Sequence, residues 1–250
     1  PTSYIVDKDN VAQGEEWVRQ PNGTGPYKLT EWKSYEYIIY EANQDFYLGA
    51  PSIPYVVYKI YAGDDVRLFE TGDIDIAGVG LYDVDRMLNP AEPLNANLVT
   101  GVNLCTSYVV FDTTKPPFDD VNVRKAFSMA FDRQRYVDVL YRGVALPAVG
   151  LYPPGLPGFS YELQGLPYDP AQARELLEQS KYGGAEGLPE IVYTNSGVGS
   201  YVGGTVAALA EMWEQYLGVK IKVENIDFNF YYQQLFSGNH GQIFDGGWCA

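Results

Sequence analysis

The sequence predicts an α/β protein with mixed sheets, organised in two parts of unequal character. Alternating runs of aromatic and β-branched residues crowd the first hundred positions, as sheet strands do. After residue 119 helical and strand periods alternate, which argues for crossover connections between strands of one layer. A chain of 250 residues, 46% hydrophobic and 20% charged, is also long and apolar enough to bury a real core.

Taken in order, PNGTGPYKL (21–29) is turn chemistry feeding a strand, SYEYIIYEA (34–42) alternates as a second, and YVVYKIY (55–61) reads as a third. Asp64 is placed to cap a short helix that ends at Gly72. IDIAG (74–78) reads as a short strand and NLCTSYVVFD (103–112) as a longer one. From Asp119 to Gly143 the spacing predicts a helix with Val123, Phe127, Ala130, Val137 and Leu140 on one stripe and Asp120 as its N-cap. Residues 144–168, rich in Pro, Gly and Leu, read as a long ordered loop. Asp169-Pro170 supplies a cap and a proline at the first helical position, with Ala173, Leu176 and Leu177 facing inward. A strand over 190–195, a helix over 206–218, the alternating VKIKVENI, a short helix over 230–238 and a last strand from QIFDGGW complete the chain. The change of character sets a boundary near residue 103, with 1–102 strand-rich and 103–250 α/β.

Composition excludes several functions. A net charge of −15 repels phosphate backbones and anionic lipid surfaces, so no nucleic-acid partner is expected. No apolar run approaches the ~20 residues of a membrane span, and PTSYIVDKDN has no signal-peptide pattern. The single histidine, His240 in SGNHGQ, reads as an exposed turn residue, and a zinc site would lack its other ligands. GVGSYVGG lacks the glycines of a nucleophile elbow, and GVG at 78–80 runs into LYD without a third glycine. The acid pairs (Asp64-Asp65, Asp73/Asp75, Asp83/Asp85, Asp119-Asp120) suit caps and turns and do not complete a calcium loop. Neither cofactor nor metal is expected. Two carboxylates on separate strands could still build a glycoside-cleaving enzyme, which stands as a remote alternative. The two cysteines, Cys105 and Cys249, are far apart in sequence, and that spacing alone leaves two separate thiols or one pair open.

Several stretches, in order, resemble one family. They are GTGPYKLTEW (23–32), ETGDIDIAG (70–78), LCTSYVVFDTTKPPFDDVNVRKAFSMAFDR (104–133), GVALPAVGLYPPGLPGF (143–159), YDPAQARELLEQSKY (168–182), LGVKIKVEN (217–225) and GWCA (247–250). The family is the extracytoplasmic solute-binding proteins of peptide-type ABC transporters, family 5, and LCT with GWC is most similar to its oligopeptide binders. The resemblance implies a type II periplasmic-binding-protein fold of two lobes, with 1–102 in the first lobe and 103–250 making most of the second. It implies a non-enzymatic binding component, monomeric and extracytoplasmic (periplasmic or lipid-anchored), that delivers peptides to a membrane permease. An oligosaccharide-binding member of the same family is the alternative. GWCA resembles the start of a segment that continues in the relatives, so the chain reads as a fragment of a longer protein.

The resemblance also implies a site. Cys105 and Cys249 would be joined by a disulfide at a groove that holds extended peptides by their main chain. Asn103 and Cys105 would offer backbone groups there, while Tyr108 and Trp248 would line the cleft. Phe228 sits where relatives commonly carry tryptophan. Three positions depart from the pattern: Asp112 replaces an asparagine, Asn103 a tyrosine, and Asp245 a basic residue that receives a peptide carboxylate. An acid at 245 would repel that carboxylate and favour a cationic or hydroxyl-rich ligand.

Overall fold

The computed structural model describes residues 6–60, 63–197 and 199–250. The chain divides into two compact units, Pro1–Asp83 and Val84–Ala250.

In the first unit, α1 (Lys8–Val11) is one turn capped by Asp7, whose carboxylate accepts from the Asp9 and Asn10 amides. Three antiparallel strands follow in the order β1 (Tyr27–Lys33), β2 (Tyr37–Ala42) and β3 (Tyr55–Lys59). The second and third are the expected strands shortened at a turn, while the first runs four residues past Leu29 to Lys33; Tyr61, at the end of the third run, lies outside the described residues. Asn43 fixes how the sheet is entered. Its backbone N–H donates to Pro26 O at 2.8 Å and its side-chain amide to Gly25 O at 2.9 Å, pinning the turn before β1 to the end of β2. Asp64 caps α2 (Asp65–Glu70) through the Arg67 amide at 2.9 Å, and Gly72 follows in the left-handed region at φ 76°.

The strand expected over 74–78 does not form. Ile76 is 89% exposed, and among the described residues no strand pairs with this run. Alternation specifies a strand only when one face is buried and a neighbour supplies the ladder.

The second unit opens with α3 (Val84–Leu88) and builds a four-stranded sheet in the order β4-β7-β5-β6. Its strands are β4 (Cys105–Phe111), β5 (Ile191–Ser196), β6 (Ile221–Ile226) and β7 (Ile243–Cys249). β7 runs antiparallel to β4 and parallel to β5, and β5 and β6 are parallel. Helices α4 (Val121–Met129), α5 (Arg133–Leu140), α6 (Pro170–Glu178), α7 (Gly204–Leu217) and α8 (Phe228–Phe236) complete it. The β5-α7-β6 and β6-α8-β7 crossovers step across the sheet in opposite directions, so right-handed connections lay α7 and α8 on opposite faces.

The core lies where α4, α6 and α7 meet the sheet. Phe118, Val123, Phe127, Leu177, Ile191, Tyr193, Trp213 and Ile243 are buried in one cluster. Phe111 stacks on Phe118 with centroids 4.5 Å apart, Phe127 meets Phe118 edge-on at 5.0 Å, and the Trp213 indole donates to Phe127 O at 2.9 Å. That bond satisfies the one polar atom the indole brings into an apolar interior.

One expectation is corrected here. The single helix over 119–143 is two helices, α4 and α5, separated at Ala130–Asp132. Asp132 interrupts it by capping α5 through the Arg135 amide at 3.0 Å, and the Met129 carbonyl accepts from the Asp169 amide at 2.9 Å. The end of α4 is thus joined to the cap of α6. Asp120 and Asp169 cap α4 and α6 as expected, and residues 144–168 form neither helix nor strand.

Candidate functional site

The β4–β7 ladder brings together most of the residues singled out in the sequence. Its register pairs Cys105 with Cys249, Thr106 with Trp248, Ser107 with Gly247, Tyr108 with Gly246, and Val109 with Asp245. Cys105 and Cys249, 144 positions apart, are joined by a disulfide across this pair with Cα atoms 4.1 Å apart. Directly opposed residues share a face of an antiparallel pair. One face therefore carries Cys105, Ser107, Val109 and Phe111 with Cys249, Gly247, Asp245 and Ile243, and Phe111 and Ile243 carry it into the core. The other face carries Thr106, Tyr108 and Val110 with Trp248, Gly246 and Phe244.

Tyr108 lies over Gly246. A Cβ built on that glycine would come within 2.3 Å of the tyrosine ring, so the ring occupies the space that the missing side chain leaves. Trp248 is 66% exposed at the far end of the same face. Asn103 precedes the strand, exposed, with its amide oxygen 3.1 Å from the Cys105 sulfur. Because that sulfur is in a disulfide and carries no proton, this is a contact and not a hydrogen bond. Phe228 is not part of the ladder: it opens α8, 66% exposed, edge-on to Tyr232 at 6.1 Å.

Asp245 is half-buried, and the Tyr193 hydroxyl donates to its carboxylate. The Tyr231 hydroxyl donates to its backbone oxygen at 2.9 Å. Burial pushes the Asp245 carboxyl above the ordinary carboxylate range, against the lowering effect of the Tyr193 bond. Burial first, then the nearby Asp245 charge, pushes up the phenols of Tyr193 and Tyr231. Tyr136 on α5 is pushed up to about 12, chiefly by burial. Sequence reading missed these tyrosines as partners of Asp245. The signal available was the inward position of Tyr193 in EIVYTN, but its pairing with β7 arises from a crossover the sequence does not spell out.

His240 overturns an expectation: its side chain is only 9% exposed. Its ring lies edge-on to Phe244 at 4.7 Å, and the Lys115 ammonium sits 3.3 Å from Nδ1 while donating to the carbonyls of His240 (2.6 Å) and Gly238 (3.2 Å). The turn exposes Gly238 but packs Gly241 against the Val192 carbonyl, and the imidazole is held beside the Lys115 ammonium. Asp112 accepts from the Thr114 amide at 2.9 Å, a turn an asparagine would close in the same way. Among the described residues no three His, Cys, Asp or Glu side chains converge as a metal site, and no helix is long and apolar enough to cross a membrane.

Comparison with known proteins agrees with this architecture. All of residues 1–250 match the family described as "Bacterial extracellular solute-binding proteins, family 5 Middle". The chain is 28% identical over 236 residues to "Di/tripeptide-binding protein 2" of Pseudomonas aeruginosa (strain UCBPP-PA14), covering 92% of this chain and 43% of that protein. Among solved structures it is similar to the Escherichia coli murein tripeptide binding protein MppA (TM-score 0.80, 26% identity, 98% of this chain and 49% of that one). It is also similar to the ABC transporter-associated periplasmic binding protein DppA from Helicobacter pylori in complex with peptide STSA (TM-score 0.78, 25% identity, 98% and 48%). The chain thus spans about half the length of these relatives or less, with the mixed α/β fold of periplasmic binding proteins. By the match along its whole length, the chain belongs to the family 5 bacterial extracellular solute-binding proteins.

Proposed function

We propose that this chain forms part of the substrate-binding component of an ABC importer, working outside the cytoplasm. It captures peptides mainly by their backbone and passes them to a membrane permease without changing them chemically. The observation that carries this reading is the β4 edge. β4 is the outermost strand of its sheet among the described residues, and it is paired on one side only. An edge strand offers unpaired N–H and C=O groups to an extended peptide, and main-chain pairing tolerates any side chain, as a transporter of mixed peptides requires. The named relatives, a di/tripeptide-binding protein and a structure in complex with a peptide, support the same reading. In it, residues 1–102 contribute to one lobe and 103–250 to the other. Asn103 and Cys105 present backbone groups, and Tyr108, Trp248 and Phe228 border the ligand's side chains.

Native mass spectrometry of the protein purified from its host tests this. A spread of peptide masses released on denaturation is the expected result. Hexose-spaced masses with no peptides would replace the peptide reading with an oligosaccharide one.

A further inference from the structure

The β4–β7 ladder holds a charge that folding alone does not require. Asp245 is half-buried, its carboxylate receives one side-chain hydrogen bond, from Tyr193, and among the described residues no lysine or arginine pairs with it. The titratable groups that face it are phenols: Tyr193 from β5, Tyr231 from α8 and Tyr136 from α5. An asparagine would accept the same hydroxyl without the cost of stripping water from an ion. No buried side-chain oxygen among the described residues lacks a partner, so the second carboxylate oxygen is not sealed inside the protein.

The surface beside it is open in one direction. On the face that carries Asp245, the next pair toward the disulfide is Ser107 and Gly247, both exposed, and beyond them is the Cys105–Cys249 bridge. A Cβ on Gly247 would meet only the Thr106 carbonyl oxygen, at 3.7 Å, an ordinary contact. Nothing packed forbids a side chain there, and its absence keeps the floor low. Four strand positions separate Asp245 from Cys249, about 13 Å, the length of a four-residue extended segment. An unobstructed strip of this face thus leads from the disulfide to an uncompensated carboxylate one strand in from the β4 edge, on a molecule whose net charge of −15 already draws cations toward it.

We propose that Asp245 selects the ligand: a short extended peptide pairs along the β4 edge, and its positively charged group, a lysine or arginine side chain or the amino terminus, reaches across Ser107 to Asp245. This rests on the peptide-binding reading above and narrows it to cationic peptides.

Calorimetric titration of the full-length protein from its host tests it, using trialanine, the three single-lysine and three single-glutamate tripeptides, and N-acetylated copies of each. The expected result is one lysine position that binds about tenfold tighter than trialanine, with glutamate there weaker. Asp245→Asn then brings lysine within about twofold of trialanine, which the variant still binds. If acetylation in place of lysine carries the Asp245-dependent difference, the selected group is the amino terminus. The proposal is overturned if trialanine binds but neither cation gives an advantage that Asp245→Asn removes. If no peptide binds the unmodified protein, the peptide-binding reading fails and this inference with it. Should circular dichroism show the variant unfolded, the unmodified protein decides. Its lysine advantage must fade as acid protonates Asp245, and an advantage independent of pH refutes the proposal.

Discussion

At Gly246 a single hydrogen in place of a side chain decides how β4 and β7 fit. The Tyr108 ring fills the position a Cβ would take, so Gly246→Val forces the ring off the ladder. Overpacking of this kind costs about 1–3 kcal/mol, read as a lower urea midpoint with an unchanged slope. Asp245, on the neighbouring pair, predicts a pH effect. Burial raises its folded pKa above the unfolded value, so its ionisation opposes folding. The stability tied to its protonated form is fully present below the unfolded carboxylate pKa and is lost as pH rises through the raised folded one. Asp245→Asn should therefore stabilise the protein relative to wild type at pH 7, with the gain shrinking toward pH 4. A gain of equal size at both values would mean that the carboxylate does not titrate differently on folding. At the centre of the core, Trp213→Phe removes the indole donor and leaves the Phe127 carbonyl unpaired in a buried site, a loss of about 1–3 kcal/mol measured by the same unfolding curves.

Elements join at their ends, and the strongest join is covalent. The disulfide closes a loop of 144 positions between β4 and β7, for which chain-entropy reasoning allows roughly 5 kcal/mol at most. Replacing both cysteines with serine should lower the unfolding free energy by about 2–5 kcal/mol while leaving far-UV circular dichroism unchanged at low denaturant. A variant as stable as wild type would show that the ladder holds its register without the bond. The legible parts of the fold were also at the ends. Asp64, Asp120 and Asp169 announced helix starts because a short polar side chain before an apolar run has few other uses, and Gly218 announced a stop that the structure places in the left-handed region at φ 74°. The illegible parts depended on remote neighbours. The break at Asp132 did not show within one long helix, because the bond from the Asp169 amide to the Met129 carbonyl that accompanies its capping role comes from 40 positions away. IDIAG had the period of a strand but no partner, and a period cannot report a partner.

Across the whole molecule the same division holds for the site. The disulfide and the aromatic positions came from likeness to a family, since two cysteines 144 positions apart predict nothing by spacing. The tyrosines around Asp245 converge from β5, α5 and α8, a meeting that only the assembled sheet creates. Distribution of the core leads to a last prediction. Among the described residues of the first unit, Ala42, Asn43 and Val66 are the buried ones, whereas the second unit holds the continuous cluster around Phe118, Phe127 and Trp213. A three-stranded sheet with so little buried surface opens locally at small cost, and protease cleavage follows the population of open forms. Trypsin acting on the 250-residue chain should therefore cut first at Lys8, Arg19, Lys28, Lys33, Lys59 or Arg67. The long loop over 144–168 contains no lysine or arginine, so its exposure gives trypsin no site. A cut at Arg142, at the turn after α5, would leave pieces that the Cys105–Cys249 bridge keeps together on a non-reducing gel. The expected time course is early loss of the first unit and a persistent band, intact without reductant, that contains residues 105–249. Early cleavage within α4, α6 or α7, while the first unit stays whole, would reverse the order of stability argued here.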